Sequence, residues 1–251
     1  MKDSSKYKES LREFQQAFQK DSTLYEALFL SAQVKEEIEN FDGAIADLRT
    51  LADKKYKLDS TYYRMASNYF SIATNSPDRD KTKYSEAIDW LAKSIAVNPS
   101  YLDAYELKAK AEYNSGNFNQ AMSTVNTLLK LDSTNVEYLI LRAALKSTLG
   151  NIQGGLEDLD RIINSNYRDS TALALAYQRR GLLNERRSLL SDALHDLTEA
   201  IRLNPKHELS YMVRGRLHLR MKNPNSACDD FRKAANLGYL PAYDYIKKNC
   251  Q

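Results

Sequence analysis

A repeat of 34 residues constrains this chain more than any other feature. Small residues open an apolar stripe at Ser10, Ala44, Ala87, Ala121, Gly155, Ala193 and Ala227, spaced 34, 43, 34, 34, 38 and 34 residues apart. Four residues on, the side chain is always apolar: Phe14, Leu48, Leu91, Val125, Leu159, Leu197 and Phe231. Three residues before stands a bulky or ring residue: Tyr7, Phe41, Tyr84, Phe118, Ile152, Leu190 and Pro224. Offsets of three and four fall on one face of a helix. A second column, Ala32, Ala66, Ala109, Ala143, Gly181 and Gly215, carries the same two insertions, so both columns belong to one unit of two helices. Leu28, Tyr62, Tyr105, Leu139, Tyr177 and Tyr211 precede it by four.

These columns have a packing logic. A small residue lets two helices approach closely, and the large residue of the next helix fills the groove left behind. A single pair cannot bury its apolar face, so neighbours must stack into a continuous core. Eight Gly and five Pro are too few for a strand-rich fold with a turn every ten residues.

Period and columns together resemble the tetratricopeptide repeat (TPR) family from about Tyr7 to the C-terminus. Asn98-Pro99 and Asn204-Pro205 match its helix-ending Pro, and Ser115-Gly116-Asn117 and Leu149-Gly150-Asn151 match its inter-helix turn. The family's favoured Trp is absent from its usual place, the only Trp being Trp90. The resemblance implies an all-α, TPR-type α-solenoid, a right-handed superhelix of antiparallel helix pairs. A single solenoid over residues 1–251 is expected: a leading helix at 5–20, six helix pairs over about 24–238 and a capping helix at 241–250. The leading helix has the second-helix pattern without a first-helix partner, and so either caps the stack or follows an earlier segment. Insertions are expected as polar loops at Ala73–Lys83 and near Asn164–Thr171.

Motifs for chemistry are missing. No phosphate-binding Gly-rich loop, zinc-protease helix, nucleophile elbow or Cys-x-x-Cys occurs. His195, His207 and His218 are too few and too scattered for a zinc site. Arg142 and Asp158, Arg180 and Asp196, and Arg214 and Asp230 each stand 16 residues apart, which predicts ion pairs between the helices of a unit rather than a catalytic set. No enzymatic activity, metal or other cofactor is expected.

In the family, first-helix residues facing away from the core line a concave peptide groove. Here they include Tyr63, Ser67 and Phe70; Glu106, Lys110 and Tyr113; Gln178, Arg179, Glu185 and Arg186; and Met212, Arg216 and Arg220. Guanidinium groups fork onto carboxylates, so Arg179, Arg186, Arg216 and Arg220 form either a clamp for an acidic segment or a solvated charged face. Chaperone-tail-binding members use a Lys/Asn/Asn/Lys/Arg set whose Asn members are missing here. Of the 17 Tyr, many occupy packing columns, so stacking on sugars or bases is not needed to explain them.

Charge is uneven: residues 1–50 carry 7 Lys/Arg against 10 Asp/Glu, residues 174–251 carry 14 against 8. The acidic N-terminal third argues against an RNA-binding repeat, which needs a basic stripe along every unit. No apolar run is long enough to span a membrane, and the N-terminus has no signal-peptide core. Cys228 and Cys250 are either a disulfide or two buried thiols by position alone. The stretch from Ala227 to Gly238 with the closing Lys-Lys-Asn-Cys is similar to the tails of Bacteroidota TPR proteins, many of them exported or lipid-anchored. That resemblance implies a disulfide and a periplasmic or lipid-anchored envelope location, against a cytoplasmic alternative. The expected role is a scaffold or adaptor holding a protein or peptide partner; a regulatory module of a separate enzyme is the other reading the fold permits.

Overall fold

The computed structural model describes residues 4–165 and 167–250. Among them are fourteen α-helices and no strand: α1 Ser4–Lys20, α2 Tyr25–Glu37, α3 Phe41–Asp53, α4 Leu58–Asn75, α5 Lys81–Val97, α6 Leu102–Ser115, α7 Phe118–Leu131, α8 Val136–Thr148, α9 Ile152–Ile163, α10 Ser170–Arg186, α11 Leu190–Leu203, α12 Glu208–Arg220, α13 Pro224–Asn236 and α14 Ala242–Asn249. The chain divides between Leu128 and Leu129 into two compact units. The first holds α1 to α6 and most of α7; the second holds α8 to α14.

Local chemistry sets the helix ends. Gly116 (φ 89°) and Gly150 (φ 90°) take the left-handed turn after α6 and α8, where a Cβ is disfavoured. The side chains of Asn40, Asn135 and Asn151 accept the first free N–H groups of α3, α8 and α9. α5 and α11 stop at the residue before Asn98-Pro99 and Asn204-Pro205.

Of the two expected insertion loops, Ala73–Lys83 is helical at both ends, whereas among the described residues near Asn164–Thr171 only Ser170 and Thr171 are helical. α4 runs one turn longer than α2 and α5 starts almost one turn early, so only Ser76–Asp80 remains as the connection. Ala73 and Tyr84, placed in or beside the loop by sequence, are fully buried. The reason is a cap: Asp80 accepts from the N–H groups of Thr82 and Lys83 and starts α5 there. Asp169 does the same through Thr171 and Ala172, and the four-residue insertion becomes an added first turn of α10.

The repeat columns are the core. Ala32, Ala66, Ala109, Ala193 and Ala227 are fully buried, as are Leu48, Leu91, Val125, Leu159, Leu197 and Phe231. In the last pair the large member is a ring, and its first-helix counterpart is Gly215. A Cβ built there would lie 2.6 Å from Phe231 Cε1 and 3.2 Å from Ala227 O. Gly215→Ala should therefore cost about 1–3 kcal/mol by overpacking. Gly215→Ala combined with Phe231→Leu should recover much of it, because other units pair Ala with Leu, as in Ala143 and Leu159. Denaturant melts of both variants and Phe231→Leu alone check this; strict additivity would refute the size matching.

At the ends, none of residues 5–20 of α1 is buried, and Tyr7 Oη donates to Glu37 Oε2 at 2.9 Å. α14 closes the second unit. Its Ala242, Tyr245 and Ile246 join Phe231, Ala234 and Ala235 in one apolar cluster. Cys228 and Cys250 are disulfide-bonded, their Cα atoms 5.6 Å apart.

Candidate partner-binding face

The ion pairs at 16-residue spacing all form: Arg142–Asp158 at 2.6 Å, Arg180–Asp196 at 2.7 Å and Arg214–Asp230 at 2.8 Å. Each Asp is nearly buried and multiply held. Lys146 reaches Asp158 at 2.8 Å, and Asn184 donates to Asp196 at 2.9 Å. His218 stands 3.9 Å from Asp230 where α8 has Lys146; burial, helped by the nearby Arg214, holds its pKa below the ordinary value against the pull of Asp230. Arg180 also reaches back to Asp160 at 2.8 Å, joining one pair to the preceding one. These groups are saturated by each other, which accounts for them as structure.

The face that the sequence assigns to partners differs between the units. In the first unit its aromatic members are used internally. Tyr63 lies 5.1 Å from Tyr101, Phe70 packs edge-on to Tyr84 at 5.4 Å, and Tyr113 packs edge-on to Phe118 at 5.6 Å, each only partly exposed. Burial raises the Tyr63 pKa, as it does for a phenol turned into a packed cluster. Lys110 is exposed. Glu36, on the same face of α2, is held by Arg64 of α4 at 2.5 Å and by Asn68 at 2.8 Å. Its pKa is nonetheless raised, because burial outweighs the guanidinium.

In the second unit three residues expected to line an open groove are buried: Gln178 (0% exposed), Met212 (4%) and Glu185 (7%). Neighbouring first helices of the unit touch one another there, α8 with α10 and α10 with α12. The four arginines lie on one side of their helices: at about 100° per residue, their offsets from Gly181 and Gly215 fall within roughly 60°. All four are exposed, but they are not equivalent. Arg186 Nη1 donates to the Ser147 hydroxyl and, at 3.3 Å, to its carbonyl. Arg220 Nη1 pairs with Glu185 Oε1 at 3.0 Å. Arg179 and Arg216 have no partner among the described residues.

Sequence reasoning missed these ties between first helices. The signal was present as a carboxylate four residues after the small first-helix residue, Glu36 after Ala32 and Glu185 after Gly181, with an Arg on the next first helix.

Comparison with known proteins agrees with the helix pairing. Residues 57–150 match a family model described as the second ARM domain of tetratricopeptide repeat protein 21. Human tetratricopeptide repeat protein 6 is 28% identical over 162 residues, 62% of this chain, and the chain spans 29% of that relative's length. Among solved structures, a tetratricopeptide repeat protein of Parabacteroides merdae superposes with a TM-score of 0.73 at 16% identity, covering 99% of this chain and 94% of its own. YrrB, described as a TPR protein with an unusual peptide-binding site, superposes with a TM-score of 0.51 at 17% identity over 79% of this chain and 97% of its own. Columns, helix pairs and relatives converge on one fold: the chain has the tetratricopeptide-repeat fold and is similar to proteins of that family.

Proposed function

We propose that this chain is a non-enzymatic scaffold that holds an acidic segment of a partner protein against the first helices α10 and α12, in a bacterial cell envelope. One observation carries the reading. Arg142, Arg180, Arg186, Arg214 and Arg220 on the first helices of the second unit are all engaged within the fold, whereas the exposed Arg179 and Arg216 are not. An unengaged guanidinium at the surface offers a bidentate site for a carboxylate. The described peptide-binding site of YrrB is a precedent for peptide recognition on this fold. An envelope location is supported by the Cys228–Cys250 bond, since such a bond persists where the compartment is oxidising.

The test is Arg179→Glu with Arg216→Glu, measured by fluorescence anisotropy with a labelled Asp-rich peptide and by affinity capture with mass spectrometry. Binding should weaken about tenfold or more, with the melting temperature unchanged, since neither side chain holds the fold together. Unchanged affinity in the double variant would take the arginine face out of the reading.

A further inference from the structure

Among the described residues of the second unit, Gln178 is the one whose buried side-chain polar atoms lack a hydrogen-bond partner. It is fully buried on α10, three residues before Gly181, and neither its Nε2 nor its Oε1 meets a hydrogen-bond partner. The equivalent positions on the flanking first helices are Ile140 (8% exposed) and Met212 (4%). Those equivalent positions pack apolar side chains of similar size, so the repeat's packing does not itself call for an amide there. Buried polar atoms are almost always paired, and one left unpaired destabilises the state that buries it.

Two arginines tie the helices of the same face together. Arg186 links the end of α10 to Ser147 on α8, and Arg220 links the end of α12 to Glu185 on α10. Both guanidinium groups are exposed, Arg220 to 45%, so water and dissolved anions compete for them. A carboxylate brought by a partner competes for the same donors.

We infer that Gln178 reads the main chain of the bound segment. The inference rests on the acidic-segment reading above. As the segment's carboxylates draw Arg186 and Arg220 from Ser147 and Glu185, the first helices part over Gln178. Its side-chain amide then meets one peptide group, Nε2 donating to the carbonyl and Oε1 accepting from the N–H. A primary amide matches that donor–acceptor pair, whereas a carboxylate or a cation would match only half of it. Unliganded, the face is closed and carries an unpaired amide; occupied, the amide is satisfied. Arg179 and Arg216 select for charge, and Gln178 selects for an extended backbone.

Gln178→Met keeps the volume and removes both polar atoms. Its melting temperature should rise by about 2–6 °C, while its affinity for the labelled Asp-rich peptide falls about tenfold. A series of that peptide N-methylated at one backbone nitrogen at a time sharpens the test. One position should weaken binding to the wild type and leave binding to Gln178→Met unchanged. A lower melting temperature in Gln178→Met would mean that the amide has partners inside the fold, and overturns the inference. So does full affinity in Gln178→Met; if Arg179→Glu with Arg216→Glu loses binding in the same assay, the arginine reading survives and Gln178 alone falls. No binding by the wild type removes both.

Discussion

Asp196→Ala should lower the stability of the second unit by about 2–4 kcal/mol, whereas Asp160→Ala should stay within about 1 kcal/mol of wild type. Both carboxylates pair with Arg180, at 2.7 Å and 2.8 Å, so ion-pair distance alone would rank them alike. Burial separates them: the Asp196 side chain is 2% exposed and that of Asp160 is 47%. Removing Asp196 strands the Arg180 Nε and Nη2 donors and the Asn184 amide in a region water hardly reaches. Asp160 still grips Nη1, which keeps the expected loss below that of a fully isolated buried charge. Removing Asp160 returns one guanidinium edge to solvent. Urea titrations of the two variants followed by circular dichroism decide the matter, and equal losses would show that burial is not the controlling variable. Asp196→Asn, which keeps an acceptor without the charge, should fall between.

Cys250→Ser should free the C-terminal cap, because the bond to Cys228 closes a 22-residue separation worth about 3 kcal/mol in the chain-entropy estimate. What remains on α14 is one short helix whose contacts are Ala242, Tyr245 and Ile246. Terminal elements of repeat arrays open first, so the loss should appear locally rather than as a shift of the whole melt. Amide exchange in α14 and the second half of α13 should accelerate on reduction or in Cys250→Ser, with the helices before α11 unchanged. A thiol titration of protein unfolded without reductant should find no free thiol. Two titrating thiols, or exchange indifferent to reductant, would remove both the cap staple and the compartment argument drawn from it.

The columns were legible in the sequence because they obey short-range rules: an Ala or Gly at a helix crossing and a Leu, Val or Phe opposite are visible as residue types at fixed spacing. The Arg–Asp pairs were legible for the same reason, each lying within one unit. The partner face was only half legible. Its arginines could be placed by helical offset, but which of them are engaged depends on the distance between successive first helices. Arg186 meets Ser147 across 39 residues and Arg220 meets Glu185 across 35, through contacts that no motif encodes. Nor does residue type tell that Tyr63, Phe70 and Tyr113, expected to line the groove, each also pack against a second ring, Tyr101, Tyr84 and Phe118.

The lengthened α4 and α5 carry a lesson about phase. Adding residues to a helix rotates everything beyond them by about 100° each, so an arbitrary insertion inside a pair would swing an apolar stripe into water. This chain adds close to a whole turn to each of two antiparallel helices and leaves Ser76–Asp80 as the hinge, so the buried columns of both helices keep their bearing. α10 follows the same rule with one turn at its start. Extension at the hairpin end therefore lengthens both helices without turning the buried stripes that follow or precede it. The Ser76–Asp80 tip marks where foreign sequence could be grafted without disturbing the registers on either side.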